Sequence, residues 1–262
     1  MRNLPQAPLP ELFRRVPLAH RGLHAAAAGR PENSRAAIAA AIAAGYGIEI
    51  DLQLSRDGQA VVFHDARLER MTAASGPVRL RDMADLGRIA LRGSGEAIPA
   101  LVEVLALIAG RVPLLVEMKD QHGRLGPTDG ALEQAVAEAI AGYAGPLAVM
   151  SFNPHMVRRL GELAPSVPRG IVSCAFAAAD WRELDSAARA RLRAIPDYAA
   201  HGCSFISHEA ADLGRARVGA LKARGAAILC WTVRSPEQEA RARRIADNIT
   251  FEGYLPAIPP RS

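Results

Sequence analysis

The chain has 262 residues, of which 50% are hydrophobic and 23% charged, and this balance is typical of a globular protein with a large core. The net charge of +5 does not indicate a nucleic-acid partner, because aromatic residues make up 5% of the chain and none interleave with a basic cluster. No apolar run approaches the length of about 18 residues that a membrane span needs, and the N-terminal stretch lacks the apolar core of a signal peptide, so we predict neither membrane insertion nor export.

Short apolar runs predict eight strands along the chain, and stretches of helical character separate most of them. The strand-like runs lie at residues 16–20, 46–54, 112–118, 146–152, 169–173, 203–207, 226–233 and 248–251. The helical stretches include residues 33–45, 130–143 and 235–246. Alternating apolar strands and helices indicate an α/β protein whose parallel sheet is covered on both faces, and at this length a (β/α)8 TIM barrel fits best.

Residues 65–110 interrupt this alternation of strands and helices, because the segment is too long for a plain connection between barrel strands. We interpret it as a small insertion after the second strand, ending in a helix at about residues 100–109. With this insertion included, we predict a single domain over residues 1–262.

The three cysteines each lie in or beside an apolar run, and no C-x-x-C spacing occurs. We predict that Cys174, Cys203 and Cys230 are buried thiols. A sparse, odd number of cysteines suits a reducing compartment, and we therefore expect a cytoplasmic location.

Charged residues alternate with apolar ones on two of the predicted strands. Residues i and i+2 of a strand point to the same side, so Glu49 and Asp51 share one face, and Glu117 shares a face with Lys119. Three carboxylates at neighbouring strand ends suit a hard divalent cation such as Mg²⁺ or Ca²⁺, with Mn²⁺ as a further candidate. The alternative is that these charges form ordinary salt bridges at strand ends.

Two histidines end predicted strands on the same edge of the barrel. His20 and Arg21 close the first strand in "AHRG", and His64 follows the apolar run "AVVF". Two histidines, an arginine and a cation supply the acid, the base and the charge neutralisation that phosphodiester cleavage needs. Lys119 would add a point charge for a phosphate oxygen, although each histidine could equally be structural.

Other candidates are less specific. Trp231, near the end of a strand, could form a wall of a substrate pocket or fill core volume. We interpret five further histidines as structural, namely His24, His122, His155, His201 and His208. Of these, His24 and His122 follow the first and third strands and are expected nearest to the predicted site.

Together these motifs resemble the glycerophosphodiester phosphodiesterase family. The resemblance covers nearly the whole chain. It rests on "AHRG" at 19–22, "PENS" at 31–34, "IEIDLQLSRDGQAVVFHD" at 48–65, "IPALVEVL" at 98–105, "VEMK" at 116–119, "SF" at 151–152 and "CWTV" at 230–233.

The resemblance implies metal-dependent cleavage of a small glycerophosphodiester, such as glycerophosphocholine or glycerophosphoethanolamine, to sn-glycerol 3-phosphate and an alcohol. It implies His20 and His64 as general acid and base, and Glu49, Asp51 and Glu117 as metal ligands. It assigns Arg21, Lys119, Trp231 and Glu32 to the substrate, although Glu32 could instead favour a helix N-terminus.

One motif departs from the family pattern. The family often ends in threonine-aspartate-x-proline, whereas this chain has "NITFEGYLP" at 248–256, without the aspartate.

Two alternative functions remain: a lysophospholipase D or sphingomyelinase D-like enzyme, which needs an acyl-chain groove, and a non-catalytic barrel that only binds phosphodiesters. The latter would have lost a motif residue, and none of the predicted catalytic or metal residues is missing.

Overall fold

The computed structural model describes residues 3–259, so the two ends of the predicted 1–262 domain lie outside the described residues. The strands are β1 Leu18–Ala19, β2 Gly47–Leu54, β3 Ala60–Val62, β4 Leu114–Met118, β5 Leu147–Ser151, β6 Arg169–Ser173, β7 Phe205–Glu209, β8 Ala227–Val233 and β9 Asn248–Phe251. The α-helices are α1 Leu12–Arg15, α2 Arg35–Ala44, α3 Met83–Leu86, α4 Leu101–Ile108, α5 Ala131–Ile140, α6 Pro154–Leu163, α7 Ser186–Ala194, α8 Ala216–Lys222 and α9 Pro236–Ala242. None of the helices between residues 3 and 259 has the length and apolar character that crossing a bilayer requires.

Eight of the strands form a closed parallel barrel, which confirms the predicted TIM-barrel fold. They follow one another in chain order around the barrel, and β1 closes it by pairing in parallel with both β2 and β9. Because all eight strands run the same way, their C-terminal ends meet at one rim.

Apolar residues cover both faces of the sheet. Ile48, Ile50 and Leu52 of β2 pack outward in the layer between the barrel and the helices. The barrel interior is a separate cluster that includes Leu115 and Phe205. The alternation that points these residues outward therefore directs the intervening Glu49 and Asp51 toward the barrel axis.

The ninth strand belongs to the insertion. β3 returns antiparallel to β2 through a tight turn in which Gly58 has φ of 78°. Residues 61–100, which we call the insertion lobe, then pack a small core of their own around Phe63, Leu68 and Leu86. The lobe is narrower than the predicted 65–110, because α4 packs in the layer between the barrel and the helices.

Gly170 of β6 provides a test of the packed interior. A Cβ at this position would lie well inside contact distance of the fully buried Phe205 ring. We expect Gly170→Ala to lower the free energy of unfolding by about 1–3 kcal/mol, because the ring has no free space to move into. Urea denaturation measures this change. Gly219→Ala in α8 is the matched control, since nothing lies within 4 Å of its added Cβ; equal effects of the two changes would contradict this packing.

Candidate active site

Three buried carboxylates meet at the C-terminal rim of the barrel. Glu49 and Asp51 come from β2 and Glu117 from β4, where Asp51 and Glu117 are register partners on adjacent strands. One oxygen atom from each of the three lies within 4.8 Å of the other two. An all-oxygen set of ionisable ligands at this spacing fits a hard divalent cation.

Two basic side chains contact these carboxylates. Lys119 Nζ lies 2.8 Å from Asp51 Oδ1 and 2.7 Å from Glu117 Oε1, and Arg21 Nε lies 3.3 Å from Asp51 Oδ2. Three carboxylates thus face two cations, and the cluster keeps an excess of negative charge when all three carboxyls are ionised.

The surroundings shift the pKa values of Glu49 and Asp51 in opposite directions. Burial raises the pKa of Glu49 well above its usual range, and the charges of Asp51 and Glu117 raise it further. Burial also acts to raise the pKa of Asp51, but the ammonium of Lys119 and the charge of Arg21 outweigh it and hold that pKa far below normal. A bound divalent cation would therefore stabilise the ionised form of Glu49 above all.

Two turns with left-handed backbone bring polar groups to this cluster. Arg21 has φ of 54° and donates its backbone N–H to Glu49 Oε2 at 3.0 Å. Asn33 has φ of 58° and donates Nδ2–H to Asp51 Oδ2 at 2.9 Å, while Ser34 caps α2. Sequence analysis assigned Asn33 no part in the site, although its place in "PENS" is the signal that marks it.

His20 contacts a residue that sequence analysis missed. Its Nδ1 lies 2.5 Å from Glu252 Oε2, while Arg234 Nε donates to Glu252 Oε1 at 2.7 Å. The contact with His20 is the largest cause that lowers the pKa of Glu252, followed by the contact with His24, and the charge of Arg234 adds to them. Burial lowers the pKa of His20. Glu252 directly follows β9, within the segment that departs from the family motif; an acidic residue after the last barrel strand is the signal.

His64 begins a chain of ion pairs that ends at Arg21. His64 Nδ1 lies 2.7 Å from Asp65 Oδ1, and Arg70 Nε donates to Asp65 Oδ2 at 2.6 Å. Arg70 also forms a bidentate pair with Glu32, at 2.6 and 2.9 Å, and Glu32 accepts from Arg21 Nη1 at 2.8 Å. The insertion lobe is thereby tied to the barrel rim through alternating charges.

A cavity of about 170 Å³ collects the predicted residues. Seven of the nine line it, namely His20, Arg21, Glu49, His64, Glu117, Lys119 and Trp231. Of the other two, Asp51 is buried and paired with Lys119, and Glu32 holds Arg21 through an ion pair. Glu32 therefore contacts a predicted phosphate ligand, and its own contact with substrate stays a prediction.

A larger cavity of about 500 Å³ adjoins the first, and the two share Trp231, Thr232 and Arg234. Glu209 of β7 lines the larger cavity beside its register partner Trp231. The Trp231 ring also meets Phe152 edge to face, with 5.6 Å between ring centroids. Trp231 thus lines both cavities and packs against Phe152.

His24 lies beside the cavity, with its Nε2 3.6 Å from Glu252 Oε2, whereas the other remaining histidines and the cysteines do not line it. His122 and His155 are exposed, and His208 is buried between Ser173 and Asp212, at 2.8 and 3.1 Å. All three cysteines are buried free thiols, as predicted.

The chain is similar to proteins of one known family. Residues 20–247 match the family model described as "Glycerophosphoryl diester phosphodiesterase family". YhdW of Bacillus subtilis, whose name assigns it provisionally to the glycerophosphodiester phosphodiesterases, is 29% identical over 233 residues, covering 86% of this chain and 88% of YhdW. A glycerophosphodiester phosphodiesterase of Caldanaerobacter subterraneus subsp. tengcongensis is 31% identical over 164 residues, covering 59% of this chain and 65% of that protein.

Solved structures share the same barrel. A phosphodiesterase from Oleispira antarctica, in complex with the product sn-glycerol-3-phosphate, superposes with a TM-score of 0.71 at 24% identity, covering 95% of this chain and 93% of that one. A glycerophosphodiester phosphodiesterase from Thermotoga maritima gives a TM-score of 0.67 at 21% identity, covering 90% and 94%. At these identities the similarity establishes the fold.

Glu49 provides a test of cation binding. We expect Glu49→Gln to weaken binding of Mg²⁺, Ca²⁺ or Mn²⁺ by about tenfold or more, because it removes one charged ligand, while Glu138→Gln on the exposed face of α5 leaves affinity unchanged. Isothermal titration calorimetry measures this difference. Without divalent ions, Glu49→Gln should not lower the melting temperature, since the neutral amide replaces a carboxyl group whose charged form is disfavoured by burial and by Asp51 and Glu117. Undiminished affinity would contradict the assignment.

Proposed function

The chain belongs to the glycerophosphoryl diester phosphodiesterase family and is thus a phosphoric diester hydrolase, and from that premise we propose that it hydrolyses glycerophosphodiesters to sn-glycerol 3-phosphate and an alcohol. Glycerophosphocholine and glycerophosphoethanolamine are the proposed substrates. The observation that carries the proposal is one cavity lined by two histidines, each paired through Nδ1 with a carboxylate, together with three carboxylates and two cations at its base.

In this proposal Glu49, Asp51 and Glu117 hold a divalent cation, which is Mg²⁺, Ca²⁺ or Mn²⁺. When bound, the cation would neutralise charge on the phosphoryl oxygens. The buried, charge-rich position of the three carboxylates supports this assignment, since each is costly to bury without a counter-charge.

Arg21 and Lys119 are proposed to bind the substrate phosphate. Both line the cavity, and the planar guanidinium can donate two parallel hydrogen bonds where the ammonium provides a compact charge. Glu32 would position Arg21, because it accepts from Arg21 Nη1 and is itself held by Arg70.

His20 is proposed to act as the general base. Glu252 is ionised near neutral pH because its pKa is lowered, so Nδ1 of His20 carries the proton and Nε2 keeps its lone pair. Burial lowers the pKa of His20, which keeps the ring neutral and ready to accept a proton from the attacking hydroxyl. The attacking oxygen belongs either to water or to the neighbouring glycerol hydroxyl. In the second case the first step would give a cyclic phosphate, which water would hydrolyse in a second step.

His64 is proposed to act as the general acid. Its Nδ1 faces Asp65, whose pKa is held far below normal by the hydrogen bonds from His64 and Arg70, which outweigh burial. An ionised Asp65 accepts from Nδ1–H and orients the ring so that Nε2, when protonated, can donate its proton to the leaving alcohol oxygen. Breakage of the P–O bond to the alcohol thus needs no free alkoxide.

The adjoining cavity is proposed to hold the alcohol. The 170 Å³ cavity has room for a glycerol phosphate, and the 500 Å³ cavity begins at the shared Trp231. Glu209 lies beside Trp231 and accepts a hydrogen bond from the backbone N–H of Ala175 at 3.4 Å, and a carboxylate next to an indole ring favours an ammonium group. Arg234 is ion-paired with Glu252, whereas Arg241, which also lines the cavity, would oppose a cationic alcohol.

A second candidate substrate class is a lysophospholipid. Phe152 contacts both Trp231 and Trp181, with ring centroids 5.6 and 5.1 Å apart, and all three are partly exposed. This aromatic wall beside the catalytic cavity would suit the first part of an acyl chain, as a lysophospholipase D requires.

The first experiment measures glycerol 3-phosphate release from glycerophosphocholine with added Mg²⁺, Ca²⁺ or Mn²⁺. We expect EDTA to abolish release, and His20→Ala and His64→Ala each to lower kcat by about 10²–10⁴-fold, because each removes a proton-transfer group. His155→Ala on the exposed face of α6 is the control and should leave kcat unchanged.

Two results would redirect this assignment. Choline release from lysophosphatidylcholine, with no reaction of glycerophosphocholine, would favour the lysophospholipase D function. No reaction of either substrate with any of the three cations would favour a barrel that only binds phosphodiesters.

Glu209 provides a test of alcohol recognition. We expect Glu209→Gln to raise KM for glycerophosphocholine by about 5- to 10-fold, because it removes the charge opposite the ammonium, and to leave KM for glycerophosphoglycerol nearly unchanged. Glu237→Gln, an exposed charge change on α9, is the control. A lower KM for glycerophosphoglycerol than for glycerophosphocholine in the unmodified enzyme would instead assign recognition to Arg241.

A further inference from the structure

A second group of metal-ligand atoms lies beside the carboxylate cluster. One ligand atom from each of His20, His24 and Glu252 lies within 4.8 Å of the other two. His20 Nδ1 and His24 Nε2 approach the same oxygen, Glu252 Oε2, at 2.5 and 3.6 Å. The two imidazoles therefore converge on one carboxylate oxygen.

The donor atoms of this group differ in kind from those of the first. Glu49, Asp51 and Glu117 offer oxygen only, which suits Mg²⁺ and Ca²⁺, whereas two imidazole nitrogens and one carboxylate oxygen suit Zn²⁺ and other late first-row ions. Two neighbouring groups would thus select different ions by ligand type.

We propose that His20, His24 and Glu252 form a second metal site, which binds Zn²⁺ or a similar borderline ion and thereby inhibits the enzyme. Binding of Zn²⁺ stands independently of the reaction, whereas the inhibitory effect rests on the proposed function.

The side chains have the access and spacing that the site needs. His20, His24 and Glu252 are 13%, 27% and 21% exposed, so an ion can reach them from solvent. Tetrahedral Zn²⁺ with bonds of about 2.0–2.1 Å separates its ligand atoms by about 3.3 Å, so His20 and Glu252 must move apart by under 1 Å. Arg234 can keep its hydrogen bond to Glu252 Oε1 meanwhile, although its charge, like that of Arg21, opposes the ion.

Inhibition follows from the atoms that the ion would take. Zn²⁺ at His20 Nδ1 replaces the proton that Nδ1 donates to Glu252, and it draws electron density from the ring. The other nitrogen, Nε2, then becomes a poorer proton acceptor. The general base would be lost while the carboxylate cluster and the phosphate ligands stay intact.

The cysteines do not compete for the ion. All three thiols are buried, and burial raises the pKa of Cys174 to about 11 and of Cys203 and Cys230 to about 12. A thiol must lose its proton to bind zinc, so these groups are poor ligands near neutral pH. The buried His208 does not compete either, because it is hydrogen-bonded on both nitrogens.

The experiment titrates Zn²⁺ into untagged protein in saturating Mg²⁺, which fills the carboxylate cluster. Calorimetry measures binding, and glycerol 3-phosphate release measures activity in the same buffer. We expect one equivalent of Zn²⁺ to bind and to inhibit. His24→Gln should weaken both effects by about tenfold or more, with Mg²⁺-dependent activity within about twofold of the unmodified enzyme. His155→Gln, an exposed histidine on α6, should behave as the unmodified enzyme does.

Three outcomes would overturn the proposal. Undiminished Zn²⁺ binding by His24→Gln would place the ion elsewhere. Inhibition that increasing Mg²⁺ relieves, to the same extent in both proteins, would assign it to the carboxylate cluster. Binding that leaves activity unchanged would remove the inhibitory role. If no substrate reacts in any protein, the calorimetric comparison alone decides on the metal site, so failure of the proposed function stays distinguishable.

Discussion

The repulsion among three buried carboxylates is the constraint around which the rim of this barrel is organised. Glu49, Asp51 and Glu117 lie on adjacent strands, where the barrel offers little water to screen them. The surrounding residues offset that repulsion: Lys119 bridges Asp51 and Glu117, Arg21 reaches Asp51, and a backbone N–H reaches Glu49. In the proposed function, the same two cations that reduce the repulsion also bind the substrate phosphate. Stabilisation of the site and recognition of an anionic substrate would then use the same residues.

A second principle is the pairing of each histidine with a carboxylate through Nδ1. Glu252 faces His20, and Asp65 faces His64. Arg234 and Arg70 donate to the second oxygen of Glu252 and of Asp65, respectively. These pairs leave Nε2 as the free nitrogen in both rings. The two histidines differ in their supports, because the partner of His20 follows the last barrel strand, whereas the partner of His64 belongs to the insertion lobe.

Sequence reasoning reached the residues whose placement depends on strand geometry alone. Alternation along β2 and β4 put Glu49, Asp51 and Glu117 on one face, and closure of a parallel barrel brought them together. Glu252 was missed although it directly follows the last barrel strand. Arg70 was beyond the reach of sequence reasoning, because it meets Asp65 and Glu32 through a loop, and loop paths are set by long-range packing rather than by a repeating pattern. The family pattern gave no signal at Glu252, because this chain has "NITFEGYLP" at 248–256 and lacks the aspartate of that pattern. The predicted insertion at about 65–110 also included α4, whose apolar residues pack in the layer between the barrel and the helices.

The insertion lobe carries His64 on a core that is separate from the barrel core. Small cooperative units of this kind open independently of the whole molecule, at a free energy below that of global unfolding. Each opening would withdraw His64, Asp65 and Arg70 together and release the Glu32 carboxylate that Arg70 holds. Heat inactivation would then precede the melting of the barrel and reverse on cooling, so the upper temperature limit of the enzyme is a property of some forty residues rather than of the whole fold.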